Sequence, residues 1–158
     1  MKETVLCYIR YKNEILFLYR NKKKNDYNWG KYIGIGGHLE KGESVMDALR
    51  REIKEEIDYD INDYLAKYVG TVIFRNEYKD KIVKERMYVY VYDVNERINA
   101  ICDEGTLIWV DKNNVNSLDV WEGDKCFLDK IINYNDNDEK IDLILNYKND
   151  CFINCLKR

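Results

Sequence analysis

The segment from Gly37 to Tyr59, GHLEKGESVMDALRREIKEEIDY, constrains the fold of this chain more than any other. Ser44 followed by Asp47 has the spacing of an N-cap with a near-capping box, which places the start of a helix at Val45. From there apolar residues recur at helical spacing, and at about 100° per residue they share one face: Val45, Met46, Leu49, Ile53 and Ile57. The sequence therefore predicts an amphipathic helix from Val45 to Ile57.

Three carboxylates lie on an arc of this helix about 100° wide, where a helix built only for stability would not place them. Glu52 and Glu56 are four residues apart and repel each other, Glu55 lies one step further round, and all three are near the negative end of the helix dipole. Arg51 is adjacent in sequence but points about 100° away from Glu52, so it cannot neutralise all three. Clustered carboxylate oxygens suit a hard divalent cation, Mg²⁺ or Mn²⁺. The alternative is an ordinary solvated helix face.

The residues before and within this helix follow a longer pattern: Gly37, five residues, Glu43, seven residues, then Arg51-Glu52-Ile53-Lys54-Glu55-Glu56. This pattern resembles the Nudix box, the shared motif of the Nudix hydrolases. Asp58 departs from it, because the family has glycine there; Asp tolerates the left-handed conformation usual after a helix better than most residues do. The resemblance implies that Glu43 and Arg51 pair to hold the loop against the helix. It also implies a set of metal ligands: the Gly37 carbonyl, Glu52, Glu55 and Glu56.

Length and composition are those of a single-domain globular protein. With 158 residues, 46% of them hydrophobic, the chain can bury a sizeable core, and we expect one domain over residues 1–158. A formal net charge of −3 argues against a general surface for nucleic-acid polymers. Met1 leads directly into a strand-like run and no apolar stretch approaches about 18 residues, so we expect a cytoplasmic protein that works without a membrane. The resemblance to the Nudix hydrolases implies a small-molecule nucleotide as partner, bound by a monomer or homodimer.

Strand-like runs flank the helix on both sides. They cover residues 3–11, 14–19, 32–37, 65–76, 82–94 and 104–110, followed by a loop entering a helix at 118–130 and a closing hairpin at about 141–156. The run at 32–37, YIGIGG, is rich in glycine, which lets a backbone or a ligand approach closely. With the resemblance, the expected fold class is α/β: the Nudix fold, an α/β/α sandwich with a mixed β-sheet and the Nudix-box loop and helix.

Further candidate site residues lie outside the helix. The loop at 20–31 carries the first concentration of positive charge, so Arg20 and Lys23, with Lys22 and Lys24, are candidates to face substrate phosphates; the alternative is a solvated loop. Glu85 begins the strand at 82–94. The family resemblance makes it a candidate metal ligand or general base, and the alternative is a solvated strand end.

Trp121 followed by Asp124 is similar to the loop with which MutT-like 8-oxo-dGTP diphosphatases stack and read a purine. Two positions depart from that branch, because Gly123 stands where it usually has a first acid and Ile33 stands where it often has asparagine. The alternative for Trp121 is plain core packing.

The resemblance implies metal-dependent hydrolysis of a nucleoside triphosphate to the monophosphate and pyrophosphate. Divalent cations would neutralise the diphosphate, and a carboxylate not engaged by metal would take a proton from the attacking water, with Arg51 in support. Candidates for that base are Glu52, Glu55 and Glu85. An oxidised purine nucleotide such as 8-oxo-dGTP is the expected substrate, which would make the protein a sanitiser of the nucleotide pool. The alternatives are other nucleoside triphosphates, ADP-ribose, dinucleoside polyphosphates, an RNA cap, or a binding module without hydrolysis.

Overall fold

A computed structural model describes residues 1–158, with four strands before the first α-helix, three between the two α-helices and two after the second. The strands are β1 (Lys2–Tyr11), β2 (Glu14–Tyr19), β3 (Tyr32–Ile33), β4 (Ile35–His38), β5 (Lys67–Tyr78), β6 (Lys81–Asp93), β7 (Thr106–Asp111), β8 (Ile141–Lys148) and β9 (Cys151–Lys157). The helices are α1 (Val45–Ile57) and α2 (Lys125–Ile132), with short 3₁₀ turns at Asp63–Leu65, Lys112–Ser117 and Glu122–Asp124. Neither α-helix has the length and apolar character needed to cross a bilayer.

All nine strands belong to one mixed sheet, in the order β3-β2-β1-β6-β5-β8-β9, with β4 added to β1 and β7 added to β2. The pairs β1–β6 and β5–β8 are parallel, and the other pairs are antiparallel. The hairpin at the C-terminus is therefore part of the main sheet, because β8 runs along β5. Its turn uses Asn149 and Asp150 at φ 50° and 66°, the left-handed conformation that these residue types accept readily.

The sheet separates two hydrophobic cores, which makes the molecule an α/β/α sandwich as expected. Alternation along β1 sends Val5, Cys7 and Ile9 to the face covered by α1, which we call the α1 face. Leu6 and Tyr8 point to the opposite face, which is covered by α2 and which we call the α2 face. Within the regular part of each strand this alternation assigns residues to one of the two faces, and the assignment decides which side chains can meet.

The glycine-rich run expected as one strand is divided at Gly34. Its first part, β3, pairs with β2, and its second part, β4, pairs with β1. A side chain on Gly36 would collide with the backbone carbonyl of Val5, so glycine is required for this close pairing. The division turns the chain from one strand to the next just before it enters the loop that leads to α1.

Other predicted bounds shift by a few residues for local reasons. Leu65 belongs to a 3₁₀ turn whose Asn62 cap accepts a hydrogen bond from the Tyr64 amide, so β5 begins only at Lys67. Glu104 was expected at the start of a strand, but a bridge between Cys102 and Gly105 closes a turn there, and β7 begins at Thr106. Glu104 therefore lies in a turn before β7 and not in a strand.

Candidate active site

Helix α1 begins and ends where the sequence predicts. The Ser44 hydroxyl accepts a hydrogen bond from the Asp47 amide at 3.1 Å, and the Asp58 amide closes the last turn on the Lys54 carbonyl at 3.0 Å. Asp58 adopts φ 52° and ψ 43°, the left-handed conformation expected from its position. The helix buries Ala48, Leu49, Ile53 and Ile57 against the sheet, and this fixes the direction in which its carboxylates point.

Because Asp58 holds a conformation that favours glycine, we expect Asp58→Gly to raise the free energy of unfolding by about 0.5–1 kcal/mol. Urea unfolding without metal measures this. Asp60→Gly is the matched control, since Asp60 also pairs with Lys54, at 3.3 Å, but is not among the residues with positive φ. If Asp58→Gly proves no more stable than Asp60→Gly, the strain argument is contradicted.

Three glutamates on α1 sit in different environments. The Glu55 side chain is 58% exposed and that of Glu52 is 13% exposed, whereas residue Glu56 is only 8% exposed. One carboxylate oxygen of Glu56, Oε2, is buried with no hydrogen-bond partner, and it is the one buried side-chain atom of the protein in that condition. Burial first, and then the charges of Glu104 and Glu52, raise the pKa of Glu56 to about 9. Glu56 is thus a buried carboxyl group that forms no ion pair.

Arg51 organises the loop in front of the helix. Its guanidinium donates to both carboxylate oxygens of Glu43, at 2.8 and 2.9 Å, and to the His38 carbonyl at 3.0 Å. The pair of Glu43 and Arg51 is therefore present, and it holds the pKa of Glu43 at about 2. The expectation that Arg51 points away from Glu52 is wrong: Nη1 donates to Glu52 at 2.8 Å and to Glu55 at 3.3 Å, because the long side chain folds back along the helix. Arg51 forms no ion pair with Glu56.

Gly37 packs against the Glu52 carboxylate. A Cβ built on Gly37 would stand 2.5 Å from the Glu52 carboxyl carbon, so no other residue fits there without moving Glu52. Burial raises the pKa of Glu52, and this effect outweighs the opposing one of Arg51. The backbone of β4 at Gly37 therefore lies against the Glu52 carboxylate, and the Gly37 carbonyl as a metal ligand stays a prediction.

The structure adds a fourth carboxylate, Glu104, which the sequence analysis did not identify. It lies in the turn before β7, and its charge raises the pKa of both Glu56 and Glu52. Arg20 approaches it at 3.3 Å and Lys23 at 3.8 Å. No short spacing pattern links Glu104 to the helix, because the two meet only through pairing of β7 with β2.

The basic loop contributes Arg20 to this cluster. Arg20 contacts Asp26 at 2.5 Å and Glu104, and its charge favours the ionised form of Glu56. Lys23 stands at the rim with a largely exposed side chain, and Lys22 donates to the Cys102 carbonyl at 2.7 Å. The loop thus brings positive charge to the edge of the carboxylates, where an anion could be held.

Glu85 lies on the other face of the sheet. It is partner to Lys2 and to Phe74 in the strand ladders, and its carboxylate accepts a hydrogen bond from the Thr4 hydroxyl, which also contacts His38 Nδ1 at 3.1 Å. These contacts place Glu85 on the α2 face, beside the aromatic residues and not among the glutamates of α1. Its role as ligand or base stays a prediction.

Trp121 belongs to an aromatic cluster on the α2 face. Tyr27 stacks on its indole with ring centroids 5.2 Å apart and an interplanar angle of 17°, while Phe74 and Tyr147 meet it edge-on at 5.9 and 5.7 Å. Asp124, close by at the start of α2, is buried, and this burial raises its pKa to about 7. Trp121 is only partly buried, so it packs against the core and also lines the surface.

Residue 123 is glycine where the MutT-like pattern has an acid, and the fold leaves no room there for a side chain. The Gly123 amide donates to the Tyr147 hydroxyl at 2.7 Å, and a Cβ there would stand 2.6 Å from the same oxygen. Tyr147 comes from β8, so the C-terminal hairpin occupies the space that an acidic side chain at residue 123 would need.

The carboxylates fit a divalent cation in chemistry, although they do not form a ready-made ligand set. No group of three or more acidic, cysteine or histidine side chains is arranged as a metal site in the structure. Glu52 and Glu55 are each paired with Arg51. A cation would pair with the unpartnered Glu56 oxygen and offset the charges of Glu104 and Glu52 that raise the pKa of Glu56, and hard oxygen donors suit Mg²⁺ or Mn²⁺.

Comparison with known proteins agrees with this arrangement. Residues 2–131 match the NUDIX domain family. The chain is 34% identical over 125 residues to the uncharacterized Nudix hydrolase YvcI of Bacillus subtilis, an alignment that covers 78% of this chain and 74% of that protein. It is also 37% identical over 84 residues to the mRNA-decapping protein OPG121 of vaccinia virus, covering 50% of this chain but only 38% of the viral protein.

Solved structures share the fold. The MutT protein of Bacillus halodurans superposes with a TM-score of 0.82 at 20% identity, over 99% of this chain and 97% of that one. The MutT protein of Methanosarcina mazei gives a TM-score of 0.67 at 23% identity, over 82% of this chain and 91% of that one. The first of these alignments includes the C-terminal hairpin, so that hairpin is part of the shared architecture.

Proposed function

The chain belongs to the NUDIX domain family of hydrolases, and we propose that it hydrolyses a nucleoside triphosphate to the monophosphate and pyrophosphate with Mg²⁺ or Mn²⁺. The observation that carries the proposal is the buried carboxylate of Glu56, which has an unpartnered oxygen and lies close to Glu52 and Glu104. Burial and the neighbouring carboxylates favour the protonated form of Glu56 in the metal-free protein, and a divalent cation would take the place of that proton. A divalent cation bound there would neutralise a diphosphate and acidify an attacking water.

The protein's own residues would complete this chemistry. Glu52, Glu56, Glu104 and the Gly37 carbonyl are the proposed metal donors, joined by Glu55 once Arg51 releases it. Arg20 and Lys23 would attract the anionic substrate to the carboxylate cluster. Arg51 positions Glu52 and Glu55 through the contacts described above. Of the candidate bases, Glu52 and Glu55 lie in the cluster with Glu104, whereas Glu85 faces the aromatic side.

We further propose that the base of the substrate stacks on Trp121, and that an oxidised purine nucleotide such as 8-oxo-dGTP is preferred. Support comes from the partly exposed indole and from Asp124, whose pKa near 7 lets a buried carboxyl donate or accept a hydrogen bond at neutral pH. A purine edge offers both donors and acceptors, so a group of this kind can distinguish purines from one another. In this role the protein would remove damaged nucleotides before they are incorporated into DNA.

Trp121→Ala is expected to raise KM for purine nucleotides about tenfold, because stacking of a base on an aromatic ring contributes roughly 1–3 kcal/mol. Steady-state kinetics with purine and pyrimidine triphosphates measures the effect. Trp109→Ala is the matched control, since it removes a partly buried indole from the α1 face. Equal losses for purines and pyrimidines, or a loss of folding, would favour a role for Trp121 in core packing alone.

A second candidate is hydrolysis of a capped or dinucleoside polyphosphate, which the similarity to an mRNA-decapping protein favours. The net charge of −3 argues against tight binding of a long RNA, because affinity for a phosphate backbone depends on basic residues. A short cap analogue carries the same polyphosphate linkage without that backbone, and the active site proposed above would accept it.

The test is release of pyrophosphate and phosphate from a panel of nucleotides with Mg²⁺, and with a chelator as control. The panel contains 8-oxo-dGTP, dGTP, ADP-ribose, a dinucleoside polyphosphate and a capped dinucleotide. Preferential hydrolysis of 8-oxo-dGTP supports the whole proposal. Preferential hydrolysis of another nucleotide retains the proposed metal site and overturns the assignment of 8-oxo-dGTP as substrate. No hydrolysis of any nucleotide in the panel overturns the hydrolytic function in favour of a binding module.

A further inference from the structure

The loop at residues 20–31 touches both ends of the candidate site. At its start Arg20 stands beside Glu104, and its charge acts on Glu56. Further along, the Asn28 side chain accepts a hydrogen bond from Trp121 Nε1 at 2.9 Å, and Tyr27 lies on the indole itself. A substrate with its phosphates at the carboxylates and its base on Trp121 would therefore contact this one loop at both ends.

Tyr27 is the exposed member of the aromatic cluster. Tyr147 is built into the core of the α2 face and Phe74 packs against that core. Tyr27 instead comes from the loop and is well exposed to solvent. Its ring lies nearly parallel to Trp121 and covers one face of the indole. Displacing Tyr27 would uncover that face and leave the core packing of the sheet intact.

The hydroxyl of Tyr27 is held by two residues from other elements. It donates to Asp150 Oδ1 at 2.8 Å and accepts from Asn76 Nδ2 at 2.9 Å. Asn76, which is 2% exposed, also donates to Asp150 Oδ1 at 2.7 Å, and the Asp150 amide donates to Asn76 Oδ1 at 3.3 Å. Asp150 lies in the β8–β9 turn, so the C-terminal hairpin fixes the resting position of the tyrosine. Burial and the bond to Asp150 raise the pKa of Tyr27 to about 12, which keeps the hydroxyl a donor at neutral pH.

We infer that Tyr27 is a substrate-binding residue that closes on a purine base from the side opposite Trp121, with Asn76 and Asp150 setting its resting position. We call this pair of aromatic rings, Tyr27 and Trp121, the clamp. The inference rests on the proposed function, since it assigns the second wall of the same base site. At 5.2 Å the two rings leave no room for a third, because two stacking gaps of about 3.5 Å need a separation of roughly 7 Å. To admit a base, Tyr27 withdraws from the indole and gives up its bonds to Asp150 and Asn76.

Two substitutions separate the ring from the hydroxyl. Tyr27→Ala removes a stacking surface, so KM for a purine triphosphate is expected to rise about tenfold while kcat changes less than about twofold. Tyr27→Phe keeps the ring but loses the hydrogen bonds that hold it against Trp121, so KM is expected to fall by about two- to threefold. The control is Tyr64→Ala, which removes a tyrosine that is 97% exposed on a different element.

Each kinetic outcome for these two variants either supports the inference or overturns it. If Tyr27→Ala leaves KM unchanged or lowers it, Tyr27 only covers Trp121 and the clamp is wrong. The same loss in Tyr27→Phe as in Tyr27→Ala would also overturn it, because the hydroxyl and not the ring would then be what binds. A rise for alanine with a fall for phenylalanine supports it, and thermal unfolding of both variants shows whether each one is folded.

A binding measurement separates this inference from the hydrolytic function. Guanosine monophosphate is titrated without metal while tryptophan fluorescence is followed, and Trp121→Phe identifies the part of the signal that comes from Trp121. Quenching that weakens about tenfold in affinity in Tyr27→Ala supports the clamp even if the wild-type protein hydrolyses nothing. Hydrolysis by the wild-type protein with no Trp121-dependent quenching supports the function and overturns the clamp.

Discussion

Glu56→Gln is expected to reduce hydrolysis by roughly 10²–10³-fold while leaving the protein folded, because a metal donor that stabilises transition-state charge contributes several kcal/mol. The substitution keeps the shape of the side chain and removes its ability to ionise and bind a cation. We expect Mg²⁺ to raise the melting temperature of the wild-type protein, and Glu56→Gln should abolish most of that rise, since Glu56 carries the buried unpartnered oxygen. Initial rates and melting temperature with and without Mg²⁺ measure both effects.

The same substitution is expected to change how stability depends on pH. The pKa of Glu56 is about 9 in the folded protein against an ordinary value of 4.5, so between these values the folded state holds a proton that the unfolded state has lost. Metal-free wild-type protein should therefore lose stability as pH rises from about 4.5 to about 9, by at most about 1.4 kcal/mol per pH unit from this group. Glu56→Gln removes that contribution, so its stability falls less steeply with pH and is higher than that of the wild type at alkaline pH.

Glu122→Gln is a suitable control for both measurements. Glu122 is exposed and pairs with Lys125 at 3.0 Å, away from the cluster. Its substitution should leave the rates and the pH dependence of stability close to those of the wild type. An unchanged turnover rate in Glu56→Gln would remove Glu56 from the proposed metal site. A wild-type stability that rises through the same pH range without metal would contradict the environment described for this carboxylate.

Glu104→Gln is expected to lower kcat by about 10²-fold or more, because Glu104 is the carboxylate that the fold brings to Glu56 and Glu52 from outside the helix. It should also raise the concentration of Mg²⁺ needed for half-maximal rate. Removing the charge should stabilise the metal-free protein through reduced repulsion, offset in part by the loss of the contact with Arg20. Rates over a range of Mg²⁺ concentrations separate the effect on metal binding from the effect on the chemical step.

Glu85→Gln provides the comparison that decides between the two faces of the sheet. Since Glu85 contacts Thr4 and is the ladder partner of Phe74, its substitution should affect the rate less than that of Glu104, and its Mg²⁺ requirement should stay close to that of the wild type. A larger loss for Glu85→Gln than for Glu104→Gln would instead support Glu85 as the ligand or base. In that case the proposed site would extend around the edge of the sheet near Thr4 and His38.

The helix and its chemistry could be predicted from local sequence. The bounds Val45–Ile57, the Ser44 cap and the left-handed Asp58 all follow from interactions between residues a few positions apart, and such interactions can be read from spacing alone. The β1–β2 turn at Lys12 and the β8–β9 turn at Asn149-Asp150 also depend on neighbouring residues only. The same holds for the alternation of strand residues between the two faces. The pairing of Glu43 with Arg51 could likewise be expected, since both lie within the one motif.

The three-dimensional fold was needed to show which distant residues share the site. Alternation along β6 predicts that Glu85 and Met87 point the same way, but it does not predict which helix covers that face. In the fold Met87 packs against the core of the α2 face, and this separates Glu85 from the glutamates of α1. Glu104 reaches Glu56 because β7 pairs with β2, and Tyr27 reaches Trp121 because a loop folds onto the C-terminal hairpin. These contacts join segments far apart in sequence, and their geometry depends on strand order and packing. Spacing along the chain carries no information on strand order. The helix and its glutamates could therefore be identified from the sequence, whereas Glu104 could be added to them only from the fold.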